Sequence, residues 1–289
     1  MPEGDTVWRT ARELDRALTG GPLVHSDLRV PALATVDLTG RRVTEVLPHG
    51  KHLLTRVEGG FTLHSHLRMD GAWRVYATGE RWRGGPGHQI RAVLATADRT
   101  AVGYRLPVLE LLRTADEHTV VGHLGPDLLG PGWDAQEALR RLLADPGRPV
   151  GEALLDQRNL AGIGNVYKSE LCFMLRLSPW LPVRDVPAPE RLPALARKLL
   201  EANKSRTARV TTGDPRHDHR VWVYGRAGRP CRRCGTPLCT AGQGDPGQER
   251  VTYWCPACQP GPVPDCRPGP ARASPPGPGP AGTPGGGDD

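Results

Sequence analysis

Two Cys-x-x-Cys pairs near the C-terminal end constrain this chain most tightly. They are Cys231-Arg232-Arg233-Cys234 and Cys255-Pro256-Ala257-Cys258, with 20 residues between them. Each pair can present two thiolates from one tight turn, and two such turns complete the tetrahedral sulfur shell that suits Zn2+. The competing reading, two disulfides, is disfavoured in a reducing compartment. With a metal as staple, some 30 residues can hold a hairpin that their own small core could not stabilise. Arg250 falls on the returning strand of that hairpin, among Arg226, Arg229, Arg232 and Arg233. It is either an ordinary surface arginine or one that faces a polyanion. Cys172 lies in an apolar helical stretch and reads as core. Cys239 and Cys266 lack the paired spacing and are not expected to be ligands; without an export signal the seven cysteines read as reduced thiols or a metal site rather than a disulfide framework. Beyond Gln259 proline and glycine dominate, and the segment is expected to be disordered.

The other end of the chain carries a different chemistry. The sequence opens Met1-Pro2-Glu3-Gly4-Asp5. Removal of Met1 would leave Pro2 with a free secondary amine beside a carboxylate. An α-amine has a reference pKa of about 7.7–8.0, against about 10.4 for lysine, so much of it is unprotonated at neutral pH. Such an amine can attack a carbonyl-type carbon and form a cationic iminium. Residues 5–18 read as an amphipathic helix, with Val7, Ala11, Leu14 and Leu18 on one face and Asp5 as its N-cap. Its positive end would lower the amine's pKa further. Frayed, inert N-termini are common, so the stretch alone does not decide the matter.

Charge adds a weak hint. The chain has 289 residues, a formal charge of +7, 34 arginines and only four lysines. A polyanionic partner is compatible with this, but many basic proteins bind no nucleic acid. The N-terminus lacks the basic flank and apolar core of a signal peptide, and no apolar run approaches a membrane span, so a cytoplasmic protein is expected.

From about residue 22 to 112 apolar residues alternate with polar ones: Leu53/Thr55/Val57, Phe61/Leu63/Ser65/Leu67 and Trp73/Val75/Ala77, with Gly59-Gly60 and Asp70-Gly71 as turns. This predicts an antiparallel β-sandwich. Within it Gly50-Lys51 separates two strands, and the lysine is either a solvated turn residue or one aimed over a cleft. His64 and His66 share a strand face without a third ligand, so no metal is assigned there. Helices are predicted at 134–144, 149–156, from Asn165 to Leu175 and at 190–203. Between the second and third lies the turn Gln157-Arg158-Asn159-Leu160-Ala161-Gly162-Ile163-Gly164. With Asn165 as N-cap this is either a phosphate-binding helix terminus or an ordinary helical hairpin with a glycine turn.

Taken together, the Pro2-Glu3 start, Gly50-Lys51, the 157–165 turn and the four cysteines resemble the formamidopyrimidine-DNA glycosylase/endonuclease VIII family of base-excision repair enzymes. The opening Met-Pro-Glu-Gly is closer to the endonuclease VIII branch. The resemblance covers residues 1 to about 259. It implies an α+β multidomain chain: a β-sandwich domain with an N-terminal helix (1–125), a helix-two-turns-helix domain (126–225), a zinc-ribbon hairpin (226–260) and a disordered tail (261–289). It implies a monomer acting on damaged duplex DNA with a flipped-out nucleotide, and one structural Zn2+ on Cys231, Cys234, Cys255 and Cys258. Pro2 would attack C1′ of the damaged nucleotide, Glu3 would protonate the opening sugar ring and handle the proton transfers that follow, and Lys51 would hold the adjacent phosphate. His66, Gly164, Asn165 and Arg250 would contact the backbone, and Met69 would fill the gap left by the extruded base. The activity implied is that of a bifunctional glycosylase and abasic-site lyase. An abasic-site lyase with weak glycosylase activity and a non-catalytic zinc-ribbon DNA binder are the alternatives. The loop that supplies further void-filling side chains in purine-directed members does not align with Val102-Gly103-Tyr104-Arg105-Leu106-Pro107, which favours oxidised pyrimidines or abasic sites.

Overall fold

The computed structural model describes residues 2–266. It opens with helix α1 (Gly4–Leu18), followed by strands β1 (His25–Leu28), β2 (Val43–His49), β3 (His52–Val57), β4 (Phe61–His66), β5 (Ala72–Ala77), β6 (Ile90–Ala95), β7 (Arg99–Tyr104) and β8 (Val108–Arg113). These strands form two four-stranded antiparallel sheets, ordered β1-β6-β7-β5 and β2-β3-β4-β8. Alternation puts Leu53, Val57 and Leu63 inward, where they join Leu94 and Ala101 of the other sheet and Val7, Ala11, Leu14 and Leu18 of α1 in one apolar cluster. The helix is therefore held by its stripe against both sheets. Burial of each such side chain contributes about 1.5–3 kcal/mol.

Asp5 is not the N-cap of α1. Glu3 takes that position without a side-chain capping bond, and Asp5 lies inside the helix. The displacement has a physical cause: the Asp5 carboxylate is drawn to Arg209, 2.6 Å away, and to the Tyr167 hydroxyl, 2.9 Å away.

After a short helix α2 (His118–Val121) come α3 (Ala135–Leu143), α4 (Val150–Leu155), α5 (Asn165–Met174) and α6 (Arg191–Asn203). Asp134 caps α3 by accepting from the Gln136 and Glu137 amides. A second apolar cluster unites these helices through Leu142, Leu154, Tyr167, Leu171, Leu192 and Leu200. All nine residues from Asn165 to Phe173 are buried. A helix buried all round must find internal partners for its polar side chains. Glu170 accepts from the Trp222, Val223 and Tyr224 amides, and Lys168 donates to Thr252 Oγ1 at 2.5 Å.

The last unit is a hairpin of β9 (Cys239–Gln243) and β10 (Arg250–Trp254). Its core is small: Val223, Cys231, Leu238 and Cys255 against Phe173. Two expectations fail here. Cys239 and Cys266 are joined in a disulfide, Cα to Cα 5.3 Å, because the chain after the ribbon turns back alongside β9. That return also overturns disorder immediately beyond Gln259: Ser178 donates to the Pro262 carbonyl, and the path is fixed to Cys266. The remainder of the tail, 267–289, lies outside the described residues.

Candidate active site

A single cleft of about 630 Å³ is lined by Pro2, Lys51, His66, Met69, Gly164, Asn165 and Arg250, together with His52, His64, Arg68 and Gln157. Residues far apart in sequence thus reach one place, and each arrives by a local cause. Gly50 has φ +57°, and a Cβ there would meet the Ala161 Cβ at 2.9 Å. Only glycine lets the β2–β3 turn press against the 157–164 turn. The Gly50 amide is then fixed by Asp127 at 3.0 Å. Lys51 follows and crosses to donate to the Ile163 carbonyl. Burial, first, and the nearby Arg250 and Arg209 push its ammonium down to about 8, partly opposed by Glu3.

Glu3 is fully buried and forms the floor. Its carboxylate accepts from the Gly164 amide at 2.7 Å and the Val166 amide at 2.8 Å, with Arg209 at 3.7 Å. It is the cap of α5, supplied from the far end of the chain. This corrects two expectations at once. The N-cap residue of α5 is Gly164, not Asn165. The helix terminus is also not open to a phosphate, because Glu3 already fills it. Gly164 is glycine for that reason: a Cβ would lie 2.6 Å from the Glu3 carboxyl carbon. Asn165 instead donates from Nδ2 to the Val251 carbonyl at 2.7 Å, which ties the hairpin bearing Arg250 to α5. Among the described residues its buried Oδ1 has no hydrogen-bond partner.

Arg209 and Tyr167 escaped the sequence reading, and Asp5 was read there only as a helix cap. Burial alone would raise Asp5, but the Arg209 guanidinium overrides it and holds the carboxyl below the usual carboxylate range, helped by Tyr167 and the Thr6 amide. The Gly4 amide donates to the Gly162 carbonyl at 2.9 Å. The N-terminal segment is thus anchored to the helical unit while the rest of α1 packs on the sheets. Gln157 was visible within its turn, but its task was not: it closes the loop by donating to the Leu155 and Ile163 carbonyls and accepting from the Gly162 amide.

On the rim Met69 is 55% exposed. It follows Arg68, whose φ is +44°, in a turn closed by the Gly71 amide on the Leu67 carbonyl. Arg105 donates to the Asp70 carbonyl at 3.1 Å and holds that turn from below. Arg250 is exposed at the start of β10.

Away from the cleft, the sulfurs of Cys231, Cys234, Cys255 and Cys258 all lie within 4.8 Å of one another. The Cys234–Cys255 and Cys231–Cys258 separations are 3.5 and 3.9 Å. Metal–sulfur bonds of about 2.3 Å in a tetrahedron require sulfur–sulfur edges of about 3.8 Å, so the four thiols fit such an ion. Among the described residues no helix is long and apolar enough to cross a membrane.

Comparison with known proteins agrees with this geometry. The family model for the formamidopyrimidine-DNA glycosylase N-terminal domain matches residues 1–105. The chain is 68% identical over 266 residues to a probable endonuclease 8 2 of Streptomyces coelicolor, covering 91% of this chain and 96% of that protein. It is 52% identical to the DNA-(apurinic or apyrimidinic site) lyase Nei2 of Mycolicibacterium smegmatis, covering 90% and 99%. It is also 35% identical to endonuclease 8 of Escherichia coli, covering 90% and 100%. The fold matches Lactococcus lactis Fpg in complex with abasic-site DNA at a TM-score of 0.73 and 22% identity, covering 90% of this chain and 100% of that one. A buried N-terminal glutamate capping a glycine-started helix, a four-thiol hairpin and identity to these relatives over nine-tenths of the chain converge: the chain belongs to the formamidopyrimidine-DNA glycosylase/endonuclease VIII family, on its endonuclease VIII branch.

Proposed function

We propose that this protein is a base-excision repair enzyme, a DNA glycosylase with abasic-site lyase activity that works through an iminium on Pro2. The observation that carries the reading is that Pro2 and Lys51 line one cleft with Met69 and Arg250, and that the buried Glu3 next to Pro2 is bonded to Gly164 of the same lining. A base stacked in a duplex is out of reach, so the nucleotide must be extruded, at a cost of a few kcal/mol that is smaller for damaged pairs. Met69 is suited to fill the space left behind. Lys51 and Arg250 supply charge for the flanking phosphates, with His66 beside them, while Gly164 and Asn165 shape the wall. Pro2 displaces the base at C1′, with Glu3 protonating the sugar oxygen as the ring opens. The resulting cation acidifies the C2′ proton, the 3′ phosphate leaves by β-elimination, and a second elimination can release the 5′ phosphate.

We assign Zn2+ to Cys231, Cys234, Cys255 and Cys258. The ion would supply folding energy to the hairpin that carries Arg250, and no chemical step passes through it. A cytoplasmic, nucleoid-associated monomer fits this role.

The non-aligning 102–107 segment favours oxidised pyrimidines over oxidised purines. A second reading, an abasic-site lyase with little glycosylase activity, is favoured by the name of the Mycolicibacterium relative. A substrate panel separates the two, because only a glycosylase frees thymine glycol from an intact nucleotide. The central test is borohydride trapping on an abasic-site duplex, after mass spectrometry has verified loss of Met1. The processed wild type is expected to form a covalent protein–DNA adduct and Pro2→Gly to form it at a much reduced rate. Trapping by Pro2→Gly at the wild-type rate would sink the assignment.

A further inference from the structure

Five of the chain's ten histidines gather in one place: His49, His64, His66 and His123 surround His52, and His52, His64 and His66 line the cleft. The strand register makes this corner. His52 on β3 stands opposite His66 on β4, and His64 on β4 stands opposite Glu110 on β8. A hydrogen-bonded chain runs through it. The buried His64 pairs through Nδ1 with Glu110 at 3.2 Å and through Nε2 with His52 Nδ1 at 2.9 Å. Glu110 is half exposed at the outer end, and His52 lines the cleft at the inner end.

The donor and acceptor roles follow from the ends of this chain. An ionised carboxylate only accepts, so His64 carries its proton on Nδ1 and offers a bare Nε2. His52 must then donate from Nδ1, which leaves its Nε2 lone pair free. A carboxylate that orients one imidazole, which orients the next group, is the logic of an activated base. The family resemblance leaves the proton transfers after ring opening to Glu3, and no group besides it is assigned to receive the C2′ proton.

We propose that His52 is the base that removes the C2′ proton in the lyase half of the reaction, with His64 and Glu110 as its positioning residues. This rests on the iminium reading for Pro2. In the step, the C2′–H bond breaks and the proton goes to His52 Nε2. The electron pair forms the C1′–C2′ double bond and neutralises the Pro2 nitrogen. That pair then returns as the C3′–O bond breaks, the phosphate leaves with the bonding electrons, and the conjugated iminium forms. No electron is gained or lost overall. The new imidazolium keeps its Nδ1–H on His64, backed by the Glu110 charge.

The groups facing His52 are His64 and His66 on β4, His49 on β2, His123 after α2, and Lys51 on the adjoining turn, with Arg68 beside His66. Burial, first, and the surrounding imidazoles push His52 down to about 3 in the DNA-free protein; burial and Lys51 push His66 down to about 4. The His52 Nε2 lone pair is therefore free at neutral pH, whereas the His66 lone pair on Nδ1 already accepts from the Arg68 amide at 2.9 Å. Bound phosphates bring the opposite charge and raise the basicity of His52 when substrate arrives. A carbon acid next to an iminium needs only a weak base.

The experiment uses full-length processed protein and an abasic-site duplex in single turnover, with borohydride trapping and strand cleavage measured side by side. For His52→Ala, cleavage is expected to fall about a hundredfold while trapping holds at the wild-type level, and added imidazole should restore cleavage. His64→Gln and the surface change Glu110→Gln should give smaller losses in the same sense, the latter without touching the core. Cleavage at the wild-type rate in His52→Ala, or parallel loss of trapping and cleavage that imidazole does not rescue, overturns the proposal. Failure of wild-type trapping overturns the Pro2 reading itself.

Discussion

At the floor of the cleft Glu3 is sealed from solvent, bonded to two amides of α5 and faced by Arg209, which is itself held by Asp5. At the rim Met69 and Arg250 stand in solvent, and the strand that carries Arg250 belongs to a hairpin with only a handful of buried apolar residues. The floor is a closed polar network in which each group over-determines its neighbours' positions. The rim is a set of tips whose placement depends on turns and on a metal. A network of the first kind fixes reacting atoms to fractions of an ångström. Tips of the second kind can yield to a bent duplex without unfolding the site. Changes at the floor should therefore damage folding and chemistry together, and changes at the rim should damage binding alone.

The largest effect is expected from Arg209→Met. Removing one partner of a buried charge pair leaves Asp5 and Glu3 uncompensated and costs about 3–5 kcal/mol. Denaturant unfolding should show that loss, and single-turnover cleavage should drop roughly a hundredfold or more as Pro2 and Glu3 lose their setting. The network also has an acid limit. Asp5 is held below its usual range when folded, against about 3.9 unfolded, so its stabilisation is present above about pH 4 and drains away as pH falls. Asp5→Asn should flatten that acid limb. An Arg209→Met protein that keeps its stability while losing activity would break the contrast between floor and rim.

The ribbon tests the other half. Cys255→Ser, or chelation of the metal, should raise amide exchange across residues 229–259 and leave the sheets β1-β6-β7-β5 and β2-β3-β4-β8 protected. DNA binding should weaken at least about tenfold through the displaced Arg250. Asn165 and Lys168 are where the two regions meet, since both bond to the hairpin. If loss of the metal also unlocks α5, exchange will spread from those residues into the floor, and the division between the regions will be sharper on one side than the other.

These two regions also differed in how far they could be read from the sequence. Alternation in Leu53/Thr55/Val57 and the helical stripe Val7/Ala11/Leu14/Leu18 report burial against neighbours a few residues away, so sheets and helices were legible. The cysteine turns were legible because ligand spacing is local. The floor was not. Glu3 caps a helix 161 residues downstream, and no period or spacing connects them. Asn165 looked like an N-cap because it is the right residue type one position away. The true cap came from elsewhere, and that freed Asn165 for Val251. Arg209 is one of 34 arginines and carries no local mark. The Cys239–Cys266 bond was hidden for the same reason: it depends on where the chain travels after the ribbon.

Lys51 spans the boundary, and its titration gives a signed prediction of middling size. It is held near 8, and its ammonium is the form that grips phosphate. The alkaline limb of kcat/KM, which reports free-enzyme groups, should fall above about pH 8. Lys51→Arg should remove that limb, because guanidinium stays charged. Stability should move the other way. Lys51 and the buried Lys168, also near 8, are close to 10.4 when unfolded. The unfolded chain therefore binds more protons between those values, and their contribution to stability rises with pH there. Opposite slopes for activity and stability over one pH range would be hard to obtain from a solvated turn lysine.

The smallest effect, and the cleanest test of the rim, is Met69→Ala. The side chain is more than half exposed and sits on a turn fixed by other bonds, the Gly71 amide on Leu67 and Arg105 on Asp70. Its truncation should change folding stability by no more than about 0.5 kcal/mol. Affinity for an abasic duplex should fall by about 1 kcal/mol, roughly fivefold, because the wedge that compensates for unstacking is gone. The loss should shrink on single-stranded substrate, where there is no stack to fill. Equal losses on single- and double-stranded DNA would mean that Met69 acts by ordinary contact. A large drop in melting temperature would mean that the rim, too, is part of the fold's support.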